Sequence, residues 1–274
     1  MVIRTFAIYA LLSLSLFAST LDESIRSLVD KEIYERHQKL IKILFEDSKS
    51  FMRGGSADSV KVAKTLEENG LLKLILKNSK NIELTFAYSG ENPIFFLKAM
   101  NDTLRKMGIS FFLIKEAKLD KNGFVWSISF ESKIVPDPVL LSKRLSKLNI
   151  MIEDLKRQDD THWFYRVDMS RAAIPAKILN AGENFQLVRP IRPVWFNVSK
   201  IKRLILRESP GSHWYADVVV YDKMLHILSM RQNDTRTRYL NLKLPPDAVY
   251  VKVSDRFTLE NLKSGLQITA KGEK

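Results

Sequence analysis

The stretch NGFVWSISF, residues 122–130, is a polar turn followed by an aromatic-rich strand pattern. Further on, DTHWFYRVDM, residues 160–169, has the same form. Phe124 to Ile128 aligns with Trp163 to Val167, so large apolar side chains recur at every second position, the period of a strand with one buried face.

The likeness extends upstream. Asn92-Pro93 and Asp137-Pro138 each place a capping residue before a proline, which suits the first turn of a helix. The helical patterns PIFFLKAMNDTLRKMG and PVLLSKRLSKLN follow, with Leu97 matching Leu141 and Leu104 matching Leu145. Gly108 matches Asn149, and both residue types tolerate the left-handed conformation at a helix end. Strand patterns ISFFLIKEAKL and IMIEDLKRQ then lead to turns at 120–123 and 159–162. An earlier copy is readable on this template. Its helix is Ser59 to Leu66, stopped by Asn69-Gly70, and its strands are 71–76 and 82–86 around a turn at Asn78-Ser79. The expectation is a domain of about three αββ repeats over residues 54–170. One such unit cannot cover both its helix and its sheet face, whereas neighbours can cover one another. The expected product is a helix-covered antiparallel or mixed sheet. Any edge strand left open would be a docking surface for a partner strand.

The rest of the chain frames this domain. Residues 1–18 read as a cleaved signal peptide: Arg4, then an apolar run from Phe6 to Phe17, then Ala18 before polar residues. That run is shorter than the ~20 residues of a spanning helix, and no later segment is apolar enough to cross a bilayer. The expectation is an exported, periplasmic protein with no transmembrane segment after cleavage. Residues 19–53 read as one long amphipathic helix. It opens on a capping box at Thr20-Leu21-Asp22-Glu23, and a three-and-four spacing of apolar residues runs from Leu21 to Phe45. It either packs on its own domain or presents a stripe to a partner. After a linker at 171–183, residues 184–274 lose helical periodicity. Runs FQLVR, VWFNV, IKRLILR, WYADVVVYD, MLHILSMR, RYLNLKL, AVYVKVS and GLQITA read as strands of a β-sandwich of jelly-roll type.

Chemistry is sparse. Cysteine is absent, which removes thiol catalysis, thiolate metal sites and disulfides. The four histidines lack metal-ligand spacing, and no zinc-protease, nucleophile-elbow, phosphate-loop or calcium-loop motif is present. Ser209 to Asp217 is the densest group of reactive types. However, Ser212 and His213 are sequence neighbours, whose side chains diverge on extended backbone. The expectation is no catalytic residue, no metal and no cofactor. Net charge is +13, and in an exported chain this points to acidic envelope partners rather than nucleic acid, or simply to solubility. The candidate binding face is Arg189, Arg192, Trp195, Lys200, Lys202, Arg203 and Arg207, joined by Trp214. Cations and exposed indoles together could hold an anionic glycan or cell-wall polymer, whereas buried indoles would leave only a solvated basic strand.

Two functions follow. The first is a non-catalytic scaffold or adaptor in a secretion, pilus or flagellar assembly, contacting envelope proteins or itself. The second is a glycan or cell-wall binding module working through the sandwich.

Overall fold

The computed structural model describes residues 20–89 and 93–273, and the stretch read as an export signal and Asn92 lie outside them. The fold is mixed α+β and rich in sheet. The chain divides into two compact units, Met1–Ala172 and Ala173–Lys274.

The first unit contains α1 (Leu21–Arg26), α2 (Lys31–Arg36), α3 (Gln38–Leu44), β1 (Met52–Arg53), β2 (Ser56–Ala57), α4 (Ser59–Glu68), β3 (Ile75–Tyr88), α5 (Pro93–Lys106), β4 (Leu113–Asp120), β5 (Gly123–Ile134), α6 (Pro138–Leu145), β6 (Met151–Arg157) and β7 (His162–Asp168). Its main sheet has the order β4-β5-β3-β7-β6. Two αββ units, α5-β4-β5 and α6-β6-β7, therefore flank the single central strand β3. The second strand of each unit lies against β3, antiparallel for β5 and parallel for β7.

The recurring aromatics are a recurring core. Phe86 of β3 is in register with Trp126 of β5 and Tyr165 of β7. Its ring stacks on Tyr165 at 5.0 Å and meets Trp126 at 5.9 Å. Phe96 of α5 meets Phe86, Phe124 and Trp126, which places that helix over the central strands. Helices α4 and α6 pack on each other and on β6. The opposite sheet face is polar: Thr85 Oγ1 lies 2.9 Å from Ser127 Oγ, which donates to Glu83 at 3.1 Å.

Two expectations need correction. The earliest copy is not αββ, because residues 71–76 and 82–86 do not form a hairpin. Ile75 to Tyr88 is one strand, and Asn78-Ser79 falls in a register shift between Ile75 and Lys80 against β5. From Glu83 to Ala87, β5 on one side and β7 on the other satisfy both backbone edges of β3, so a hairpin would have no hydrogen bonds to add there. Leu71, Leu72 and Leu74 are buried ahead of the strand instead.

The long N-terminal helix is likewise not present. Thr20 and Glu23 do form the capping box. The helix nevertheless stops at Ser27, and α2 starts from an extended Asp30. The Ser27 carbonyl accepts a hydrogen bond from Arg157 N at 2.9 Å, while the Arg157 guanidinium donates to both Asp30 oxygens and to Asp160. Leu28 and Val29 are buried at the break. Burying this corner and binding it to β6 outweighs continuing the helix, whose propagation gains only one local bond per residue. The segment thus packs on its own unit.

The second unit contains β8 (Lys177–Ile178), β9 (Asn184–Leu187), β10 (Val194–Asn197), β11 (Ile201–Glu208), β12 (Ala216–Tyr221), β13 (Ile227–Gln232), β14 (Tyr239–Lys243), β15 (Tyr250–Asp255) and β16 (Leu266–Glu273). They form two sheets, β13-β12-β15-β10-β8 and β14-β11-β16-β9. Side chains from both sheets, among them Phe196, Leu204, Leu206, Val218, Val251 and Ile268, share one buried core. The stretch read as a connector supplies β8, which pairs parallel to β10. Gly265 opens β16 at φ +85, where a Cβ would lie 1.6 Å from the Leu187 carbonyl oxygen. Glycine alone fits there.

Candidate functional site

Strand β4 is the most open element of the first unit. It ends the sheet, paired with β5 on its inner side only, and all eight of its residues are exposed. The cause is local. Gly108 turns the chain at φ +90 after α5. Phe112 then packs edge-on against Trp126 at 5.5 Å. Phe112 anchors the entry to β4, and its neighbour Phe111 is 80% exposed. A bulge between Ile114 and Glu116 shifts the register, with Lys115 at the bulge. Lysines, short length and bulges are the usual protection of an edge strand. Lys115, at the bulge, and Lys118 protect the middle of β4, and only its first two residues, Leu113 and Ile114, precede them.

Leu113, at the start of β4, borders a groove of about 1290 Å³. Exposed apolar side chains of Ile75, Phe111, Leu113, Ile134 and Leu140 line it, with Leu113 61% and Ile134 58% exposed. Glu67, Glu131 and Asp137 give it an acidic wall, against a single lysine, Lys80. Burial first, then the charges of Asp137 and Glu68, push the Glu67 carboxyl above its ordinary range. An apolar floor, an acidic wall and a free strand edge can together accept an extended polypeptide: the backbone would add to β4 and alternate side chains would enter the groove. The sequence carries a signal for this surface, the apolar run Phe111 to Ile114 within the strand pattern ISFFLIKEAKL. A strand pattern of this kind does not by itself say which of its residues face solvent.

The residues chosen from sequence do not form one face. Trp214 is fully buried and its Nε1 donates to the Ser254 carbonyl at 2.9 Å, so it belongs to the sandwich core and not to a ligand surface. Trp195 is half-buried on β10, with its ring 5.1 Å from Tyr221 and 6.5 Å from Tyr250. Lys202, Arg203 and Arg207 lie on β11, in the other sheet. Arg189, Arg192 and Lys200 are exposed in the segments flanking β10. The proposed grouping fails because consecutive strands β10 and β11 belong to different sheets, whose outer faces point apart.

The hydroxyl–imidazole cluster is structural. Ser212 is fully buried, donating to the Gly265 carbonyl at 3.1 Å and accepting from Ser264 N at 3.1 Å, whereas His213 is exposed. His162 and His226 each lie 2.8 Å from one aspartate, Asp159 and Asp222. Among the described residues no group of three or more His, Asp or Glu is arranged to hold a metal. No described helix is long and apolar enough to cross a membrane. Compared with known proteins, the chain matches no protein family, no curated protein and no solved structure.

Proposed function

We propose that this protein is a non-catalytic exported scaffold or adaptor of a cell-envelope assembly, of the secretion, pilus or flagellar kind, acting through protein contacts in the periplasm. The observation that carries the reading is the exposed edge strand β4 beside an apolar groove with an acidic wall. The lysines and the bulge guard the middle of β4, but Phe111, Leu113 and Ile114 ahead of them are exposed apolar side chains, which suits a partner at that end. The leader-like N-terminus supports export, and the two αββ units supply the rigid sheet from which β4 projects. The strand order of the second unit supports a jelly roll: with β9 to β16 numbered one to eight, its sheets read 1-8-3-6 and 2-7-4-5.

The test uses the full chain in native envelopes. A photo-crosslinker at position 114 is expected to capture one reproducible protein, and the same group at Lys64 on α4 is not. Leu113→Lys should weaken that capture about tenfold or more, since a buried leucine is worth ~1.5–3 kcal/mol. Folding stability should change by no more than ~0.5 kcal/mol, because Leu113 is already exposed. Equal capture from positions 114 and 64 would remove the reading.

A further inference from the structure

The outer face of the four-stranded sheet contains a feature that folding alone opposes. Arg203 of β11 stands directly across from Lys243 of β14 on one side and Lys271 of β16 on the other. All three are exposed, and none forms an ion pair among the described residues. Like charges placed directly opposite on neighbouring strands destabilise a sheet. Strand spacing puts the row across ~10 Å. Four residues along β11, ~13 Å away, Arg207 lies over the Tyr239 ring at 5.3 Å.

Between the row and this pair the outward positions are neutral. Ile205 faces Asn241 and Thr269, and Thr269 donates to Asn184 at 2.7 Å. The outward positions from Arg203 to Arg207 and their partners on the neighbouring strands carry no carboxylate. The nearest acid in register is Glu273, opposite Ile201 at the sheet's end. In contrast, the inward positions of the same strands, such as Leu204, Leu206, Leu242 and Ile268, are buried core. The alternation leaves a flat surface of cations, side-chain amides and one exposed tyrosine.

We infer that this face is a binding site for an anionic polysaccharide, a sugar chain bearing carboxylate or sulfate groups. The cations would hold the acid groups, the amides of Asn184 and Asn241 would meet hydroxyls, and Tyr239 would lie under a sugar ring. A membrane surface would use the cations equally but would have no need of side-chain amides between them. Such a surface is usually met by protruding apolar side chains, whereas the one apolar residue between the cations, Ile205, is half-buried.

The experiment measures binding of the full chain to soluble polygalacturonate and to heparin fragments, with neutral dextran and phosphatidylglycerol vesicles as the other arms. The variant is Arg203→Gln with Lys243→Gln and Lys271→Gln. A control removes equal charge from the first unit by Lys39→Gln, Lys42→Gln and Lys49→Gln. Expected for the sheet variant is a loss of about tenfold or more in glycan affinity, given the strength of charge-assisted hydrogen bonds. The control should change affinity by less than about twofold, since it leaves the row of cations intact. The sheet variant should also melt at the same or a slightly higher temperature, because it removes cross-strand repulsion. Four results would overturn the inference: wild type binds neither anionic glycan; both variants lose affinity equally; the vesicles bind this face more tightly than the glycans; or the sheet variant melts several degrees lower, which would make the row structural.

Discussion

Replacing Trp214 by alanine is expected to destabilise the second unit by about 3–5 kcal/mol, the range for removing a fully buried large aromatic. The ring has no exposure and its Nε1 donates to Ser254 O. Its own carbonyl accepts from Thr237 N at 2.7 Å. Alanine would leave a cavity in the shared core and remove the indole hydrogen bond to the Ser254 carbonyl. Trp214→Phe should recover more than half of the loss, because it restores volume but not the hydrogen bond. Chemical denaturation followed by circular dichroism measures both. A loss under about 1 kcal/mol for the alanine variant would mean that the indole is not part of the packed core. The same measurement separates a structural Trp214 from a ligand-stacking one, which would affect binding and leave folding intact.

The second large effect is alkaline unfolding of the first unit. Tyr165 is fully buried beneath the helices, and its hydroxyl has no hydrogen-bond partner among the described residues. Burial, and secondarily the charge of Asp137, pushes its phenol well above the usual tyrosine range. Burial also raises Tyr88, to about 12. In both, the folded state holds the proton more tightly than the unfolded state does. Their contribution is therefore complete below the unfolded value near 10 and is lost as pH rises through the interval above it. Each such group should remove ~1.4 kcal/mol of stability per pH unit between about pH 10 and its folded value. Denaturation midpoints at pH 9, 10, 11 and 11.5 test this. Tyr165→Phe should flatten the decline by about one group's share and leave stability at pH 7 equal or higher, since it deletes a buried hydroxyl with no partner. A variant that declines as steeply as wild type would show that Tyr165 is not the titrating group.

How much of this was legible in the sequence can be argued residue by residue. The aromatic alternation at 124–128 and 163–167 identified both strands that flank β3, because a half-buried strand imposes a period of two on its own residues. Gly108 and Asn149 marked two helix ends, and both adopt positive φ. The eight strand-like runs of the second unit each carry a strand. The same local logic failed at residues 71–88. Whether Asn78-Ser79 forms a turn or a bulge depends on which strands arrive on either side, and those strands are distant in sequence. It failed again at 20–48, where Arg157, more than a hundred residues away, fixes the corner between α1 and α2.

For the binding surfaces, the basic character of β11 was visible, but its pairing with Lys243 and Lys271 was not. Register lies in the hydrogen bonds between strands, and one sequence read along its length carries no record of it. Trp214 was likewise ambiguous, since an indole in a strand-like run reads the same whether it faces core or solvent.

By itself, then, the sequence determined the classes of element, the helix stops, the absence of thiol chemistry and the excess of positive charge. These are properties of a residue and its near neighbours, set by side-chain period, backbone preference and composition. The tertiary structure alone decided that β3 is shared by two αββ units, that β4 is left open, and that three cations meet across β14, β11 and β16. Those outcomes depend on which distant segments satisfy one another's backbone and apolar surface, a choice settled by the free energy of the whole chain.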